Sequence, residues 1–246
     1  MKLERWEVLF ALALLFSSLL IYLLHYAIFG DIHHILIYLV ADIAFLPIEV
    51  LLVTLILHRL LANMEKRSRM EKLNIVIGAF FVEVGTDLLT YLSDADPELD
   101  AIRSELVITA KWTDEEFARV TKNLETYSYK IDINKVDLEY LKANLSRQRE
   151  FFLRLVENPA LMEHESFTDL LLAISHLSEE LSRRKSLQGL PKSDLAHLAV
   201  DIKRTYERLV REWLSYMRYL KIHYPYLFSL AMRTNPFDQA ATPVIR

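Results

Sequence analysis

Hydrophobic and polar positions divide this chain into two parts that follow different rules. From Trp6 to Phe29 there is no Lys or Arg, and Glu7 is the one acid, at the edge of an otherwise apolar run. A second run, from about Ile35 to Leu57, is interrupted only by Asp42 and Glu49. A hydrocarbon core about 30 Å thick needs about 20 residues of helix, so spans over 7–29 and 35–57 are expected. The short link Gly30-Asp31-Ile32-His33-His34 carries no Lys or Arg, whereas Arg59, Lys66, Arg67, Arg69 and Lys72 follow the second run. By the positive-inside rule this predicts a two-helix transmembrane hairpin over 1–60, in the cell (inner) membrane, with both termini cytoplasmic. Glu4 and Glu7 beside the first run, with no small-x-small site after it, favour a retained span over a cleaved leader.

Beyond residue 60 the period becomes that of amphipathic helices. The stretch 61–96 reads as a juxtamembrane helix. Its first portion is charged and suited to anionic headgroups, and its second carries Ile77, Phe81, Val84, Leu88 and Tyr91 at steps of four and three. Gly78 and Gly85, one heptad apart, allow a close approach beside Phe81, as an oligomer seam or as packing. Glu83 and Asp87 weigh against a third span. Ser93 to Pro97 marks a boundary.

After it, Thr113-Asp114-Glu115-Glu116 has the form of a capping box ahead of Phe117, Val120, Leu124 and Tyr127. Leu138, Leu141, Leu145, Gln148, Phe152 and Leu155 form a second stripe. Ser166, after Pro159, opens a third helix bearing Phe167, Leu170, Ile174, Leu177 and Leu181. Pro191 and Ser193 open a fourth, with Leu195, Ala199, Ile202, Tyr206, Leu209, Trp213, Tyr216 and Leu220 in almost four heptads. Such aromatic-rich stripes fit a multi-helix core, so 97–233 reads as a cytoplasmic antiparallel helical bundle. Pro225 should interrupt the last helix, and 234–246 reads as an irregular tail.

Composition sharpens this all-α reading. A 52% hydrophobic content beside 25% charged residues suits a chain with apolar spans and a solvated domain. Four Gly and seven Pro leave little material for the tight turns of sheets. The absence of Cys removes disulfides, thiolate metal sites and a Cys nucleophile. A net charge of -4 with no basic tail argues against nucleic acid as a partner.

The sharpest chemical feature lies in the second span. Asp42 and Glu49 are seven residues apart, which returns both carboxyls to one helix face about 10 Å apart along the axis. Pro47 between them lacks an N–H and clashes with the carbonyl of Ile43, so a kink with a freed carbonyl is expected there. Translocon scales put an intramembrane Asp at about +2.5 to +3.5 kcal/mol, so these groups should face protein or water. In a hairpin turning near Asp31, Tyr22 falls opposite Asp42 and His25 opposite Tyr38. Glu49 falls opposite Leu14 and Leu15, with Ser17 and Ser18 about a turn away, and so calls for a second protomer, a bound cation, a water-filled path or protonation. The layout is similar to that of oligomeric cation channels such as the mitochondrial calcium uniporter. That family, however, sets its Asp and Glu one turn apart in a Trp-Asp-Ile-Met-Glu-Pro signature, unlike Asp42 and Glu49.

No catalytic constellation accompanies this. His176-Leu177-Ser178-Glu179 and Asp194-Leu195-Ala196-His197 have His and acid three apart. The stripe registers put Leu177 and Leu195 inward, however, and turn both His outward, away from a di-iron arrangement. There is no phosphate loop, zinc-protease motif or nucleophile elbow. Asn235-Pro236-Phe237 matches a peptide-recognition tripeptide and is read as part of the tail. His58-Arg59-Leu60-Leu61, Tyr224-Pro225-Tyr226-Leu227 and Asn235-Pro236-Phe237 resemble segments of uncharacterised prokaryotic two-span membrane proteins, a resemblance that implies no activity. The expected protein is a non-enzymatic membrane scaffold or signalling protein without cofactor or metal. Its partners would be the lipid bilayer, further copies in a homo-oligomer, and a protein bound by the cytoplasmic bundle. The alternative is an oligomeric channel or transporter with a cation as ligand, Glu49 and Asp42 lining the path.

Overall fold

The computed structural model describes residues 5–158, 161 and 164–244, and the elements among them are helical, with no strand. The chain divides into a unit over residues 1–66 and another over 67–246.

The first unit holds α1 (Arg5–Phe29) and the start of α2 (Ile32–Phe80). Their link is short because two residues suffice to end one helix and begin the next. Gly30 takes φ +63°, a left-handed conformation that ends α1, and its N–H donates to Tyr26 O at 2.8 Å. Asp31 then accepts the N–H groups of His33 at 2.9 Å and His34 at 3.3 Å, covering the first free donors of α2. The described side chains of α1 are not buried, and those of α2 up to Glu65 are exposed save half-buried Ile35. Pro47 is accommodated within α2, which stays helical on both sides of it.

In the second unit the juxtamembrane helix expected over 61–96 is broken by a π-turn, Phe81–Gly85, before α3 (Thr86–Ser93). The wide turn has a packing reason. It lets both Phe80 and Phe81 point into the core, Phe80 edge-on to Phe167 at 5.3 Å and Phe81 stacked on Tyr216 at 5.0 Å. Thr86 Oγ1 donates to the carbonyl of Phe81 at 2.8 Å. Leu73–Ser93 is also long and apolar enough to cross a membrane, but Leu73, Ile77, Phe80, Phe81, Val84, Leu88, Leu89 and Leu92 are buried within this unit.

Then come α4 (Asp100–Leu106), α5 (Asp114–Thr126), a 3₁₀ turn (Ile133–Lys135), α6 (Leu138–Arg147), α7 (Arg149–Val156), α8 (Glu165–Arg183), α9 (Lys192–His223) and α10 (Pro225–Arg233). The long α9 is the centre of the unit and packs against α3, α5, α8, α10 and the π-turn. The capping box forms: Thr113 Oγ1 accepts the Glu116 N–H and Glu116 accepts the Thr113 N–H at 2.6 Å. Pro225 ends α9 and stands at the first position of α10, where its missing N–H costs nothing.

Three sequence expectations need correction. The stripe from Leu138 to Leu155 is two helices, parted at Gln148 with φ -90° and ψ 2°. Gln148 is half-buried, and a polar amide in that position ends one run and begins another. The cap of α8 is His164, whose Nδ1 accepts the Phe167 N–H at 3.3 Å, and not Ser166, which lies inside the helix. Pro159 lies outside the described residues. Among the described residues the segment after α10 is non-helical, but it is no loose tail. Asn235 is buried and donates from Nδ2 to Leu106 O at 2.8 Å, and its Oδ1 accepts the Phe237 N–H at 2.9 Å. Phe237 is fully buried, edge-on to Trp213. The Asn-Pro-Phe tripeptide is thus a structural latch, with its aromatic ring unavailable to a partner.

Candidate functional site

On α2, Asp42, Pro47 and Glu49 lie among exposed apolar side chains, and both carboxyl residues are themselves exposed. Among the described residues, no hydrogen bond or ion pair engages Asp42, Glu49 or Tyr22. Tyr22, expected opposite Asp42, is 39% exposed on α1. Ring contacts near the link have another register from that expected. His25 stacks on His34 with centroids 6.0 Å apart, and it is His34 that meets Tyr38 edge-on at 4.8 Å. His25 Nε2 is buried there without a hydrogen-bond partner.

Gly78, Gly85 and Phe81 sit in the second unit. A Cβ on Gly78 would lie 3.2 Å from the Tyr216 hydroxyl, so the glycine makes room for α9. A Cβ on Gly85 would lie 2.6 Å from Phe80 Cε1 and 2.7 Å from Phe81 Cδ1, so the π-turn closes over its own aromatic pair. Their small size serves packing within one chain.

A polar cluster joins α8 and α9. Asp201 is 2% exposed, yet its carboxylate meets three cations or potential cations. Arg204 donates to Oδ1 at 2.8 Å, while His176 Nε2 and His197 Nε2 stand 3.5 and 3.4 Å from Oδ2. Next to it Arg184 makes a fork with Asp194 at 2.9 and 2.6 Å and reaches Glu180 at 2.7 Å, pinning the end of α8 to the start of α9. These bonds hold the carboxyls of Glu180 and Asp194 below their usual range. The two His are half-exposed, as their outward register implies, but they lean on a buried acid beside Ile202. Counting only one stripe position in each turn misses Asp201, because α9 buries a face wider than a heptad seam. No group of three His, Asp or Glu among the described residues is arranged to hold a metal ion.

Two further acids are buried in the second unit. Glu212, beside stripe residue Trp213, is 5% exposed, and burial pushes its carboxyl up, opposed by a hydrogen bond from Ser166 and the charge of His164. Asp96 is also pushed up by burial, against the pull of its bonds from the Glu98 N–H at 3.0 Å and the Tyr127 hydroxyl at 2.8 Å. Each is spaced like a structural tie. Glu212 lines a small cleft with Ser166, Asp169, Glu207, Arg208 and Arg211, a mixed-charge surface beside the core.

Residues 69–233 match a family model described as "Uncharacterized protein MJ1433, C-terminal helical domain", and residues 2–61 match one described as "MJ1433, N-terminal helical domain". The chain is 49% identical over 235 residues to "Uncharacterized protein MJ1433" of Methanocaldococcus jannaschii, covering 96% of this chain and 94% of that relative. No solved structure matches.

Proposed function

For a chain that belongs to the MJ1433 family of helical proteins, we propose the role of a membrane-anchored scaffold or interaction protein, self-associating through α2. The observation that carries it is the contrast between the units. Two helices, Arg5–Phe29 and Ile32–Glu65, are long and apolar enough to cross a membrane, and no residue of their most apolar windows is buried within the chain. The second unit, by contrast, encloses a continuous apolar core. An uncovered apolar surface of this size calls for lipid or protein. The two helices form a hairpin in the cell membrane with both ends on the cytoplasmic side, and the helical unit is displayed there to a protein partner.

Asp42 and Glu49 set the second requirement. In lipid each costs about 2.5 to 3.5 kcal/mol, so they turn toward another copy of α2, where paired carboxyls or hydroxyls offset that cost. The role needs neither enzyme activity nor a cofactor. The lack of any bond to Glu49 among the described residues also favours a second reading, in which several copies gather the two carboxyls around a cation path.

The test is the oligomeric state of the full chain in lipid nanodiscs, with cysteine crosslinking along positions 42 to 49. A dimer crosslinked at position 49 and weakened by Glu49→Gln supports the scaffold. A ring accompanied by liposome cation flux, lost in Glu49→Gln and Asp42→Asn, transfers the function to transport. A monomer that captures no partner through residues 67–246 refutes both.

A further inference from the structure

We propose that the groove between α6–α7 and α8 is a binding site for a small amphiphilic anion, a phosphate or carboxylate carrying a short apolar body. The groove exists because the chain breaks at Gln148, so that α6 and α7 meet α8 as two short helices and leave a cleft of about 580 Å³. That size lies within the ~300–1,000 Å³ usual for small-molecule sites.

Its lining is not what helix packing alone asks for. On α8, Ile174, Leu177 and Leu181 enter the core, while one residue further round Ser175, Ser178 and Ser182 line the groove. Ser146 of α6 joins them. A helical Ser either donates to the carbonyl four residues back or turns its hydroxyl outward. Among the described residues, none of these four hydroxyls makes a side-chain hydrogen bond, so all four are free to meet a ligand.

The charges give the sign. Arg183 is held by Glu179, at 2.9 Å from Nε. Arg149, also on the groove, makes no ion pair among the described residues. Two guanidiniums against one carboxylate leave one positive charge, on a fork shaped for an oxyanion. Phe152, Leu153 and Val156 of α7 supply an apolar wall, with Leu153 52% and Val156 39% exposed. Inorganic phosphate would leave that wall wet, and a neutral alkyl chain would leave Arg149 and the hydroxyls unmet. An anion with an apolar body satisfies both, and this assignment does not depend on the scaffold reading.

Isothermal titration of hexyl phosphate into the full chain in phosphatidylcholine nanodiscs, corrected with empty discs, tests it. Hexyl phosphate is expected to bind at least about tenfold more tightly than inorganic phosphate or hexyltrimethylammonium, the contribution of one charge-assisted hydrogen bond with its apolar support. Arg149→Gln, an exposed site, should lose about tenfold with an unchanged melting temperature, and Ser178→Leu should block the groove. Competition by phosphatidylglycerol placed in the discs would support the site and assign the anion to a lipid headgroup; no competition would support a soluble ligand. Equal binding of the anionic and cationic probes, no measurable heat with hexyl phosphate, or full affinity in Arg149→Gln overturns the proposal.

Discussion

Phe237→Ala is the most direct probe of how the second unit is held together, because it acts on a segment that looks dispensable by position. Phe237 is completely buried nine residues from the C-terminus, its ring 5.0 Å from that of Trp213 on the central helix α9. Truncating a buried Phe costs about 3–5 kcal/mol in lost transfer energy and residual cavity. For a unit of this size each kcal/mol moves the melting temperature by about 2–4 °C, so a fall of about 10 °C is expected. Asn235→Ala should cost about 1–3 kcal/mol, because the Leu106 carbonyl at the end of α4 loses the donor that reaches it. The two changes should be non-additive, since Asn235 also accepts the Phe237 N–H. Thermal unfolding of the full chain in neutral detergent, followed by circular dichroism and by hydrogen exchange in α4 and α9, reads these effects. A Phe237→Ala protein that melts within about 2 °C of the parent refutes the latch.

Gly85→Ala should destabilise the unit by about 1–3 kcal/mol in denaturant unfolding, since its Cβ would fall within 2.7 Å of both Phe80 and Phe81. Gly78→Ala, whose nearest contact would be the movable Tyr216 hydroxyl at 3.2 Å, should fall within about 1 kcal/mol of the parent, and equal large losses at both sites would refute the distinction. Glu212 gives a pH signature. Its carboxyl is raised in the folded state, so between the unfolded and folded values the native protein holds more protons, and stability falls as pH rises through the folded value. Glu212→Gln should therefore raise the melting temperature at neutral pH and flatten that slope. An unchanged pH profile in Glu212→Gln would remove burial as the cause.

How much of this fold is legible in the sequence depends on whether a local signal or a distant contact decides each element. The capping box at Thr113 and the stop at Pro225 are local, because one side chain or one missing N–H settles the geometry on the spot. The stripe of α9 is also legible, since Ile202, Tyr206, Leu209 and Trp213 keep one face over about three turns. The break at Gln148 is not, because a half-polar stripe continues equally well as one helix or two. The π-turn depends on whether Phe80 and Phe81 both find ring partners, which α8 and α9 decide from more than eighty residues away. The latch at Asn235 and Phe237 is hidden for the same reason, its acceptor being Leu106. Asp201 and Glu212 sit beside core residues Ile202 and Trp213, and only a face broader than one residue per turn brings them inside. The candidate site on α2 is the reverse case: spacing alone gives the shared face of Asp42 and Glu49, while the expected pairing with Tyr22 depends on a register that the His25–His34 contact does not share.

The two units answer different physical demands and yet occur as one inheritance. The family models cover residues 2–61 and 69–233, and the chain itself divides between residues 66 and 67, so descent and packing separate the same two bodies. The relative from Methanocaldococcus jannaschii matches across 96% of this chain, so the apolar pair and the helical unit travel together. A simple tether would satisfy that pairing with any two apolar helices. It would not place two carboxyls seven residues apart around Pro47, each costing about 2.5–3.5 kcal/mol in lipid when left alone. Together they are as costly to insert as losing one or two core side chains is to a folded domain. An anchor that carries such a penalty without a compensating contact would be less stable than its own Asp42→Leu, Glu49→Leu variant. In the proposed scaffold that offset comes from a second copy of the chain, so self-association through α2 is what distinguishes the proposal from a plain tether.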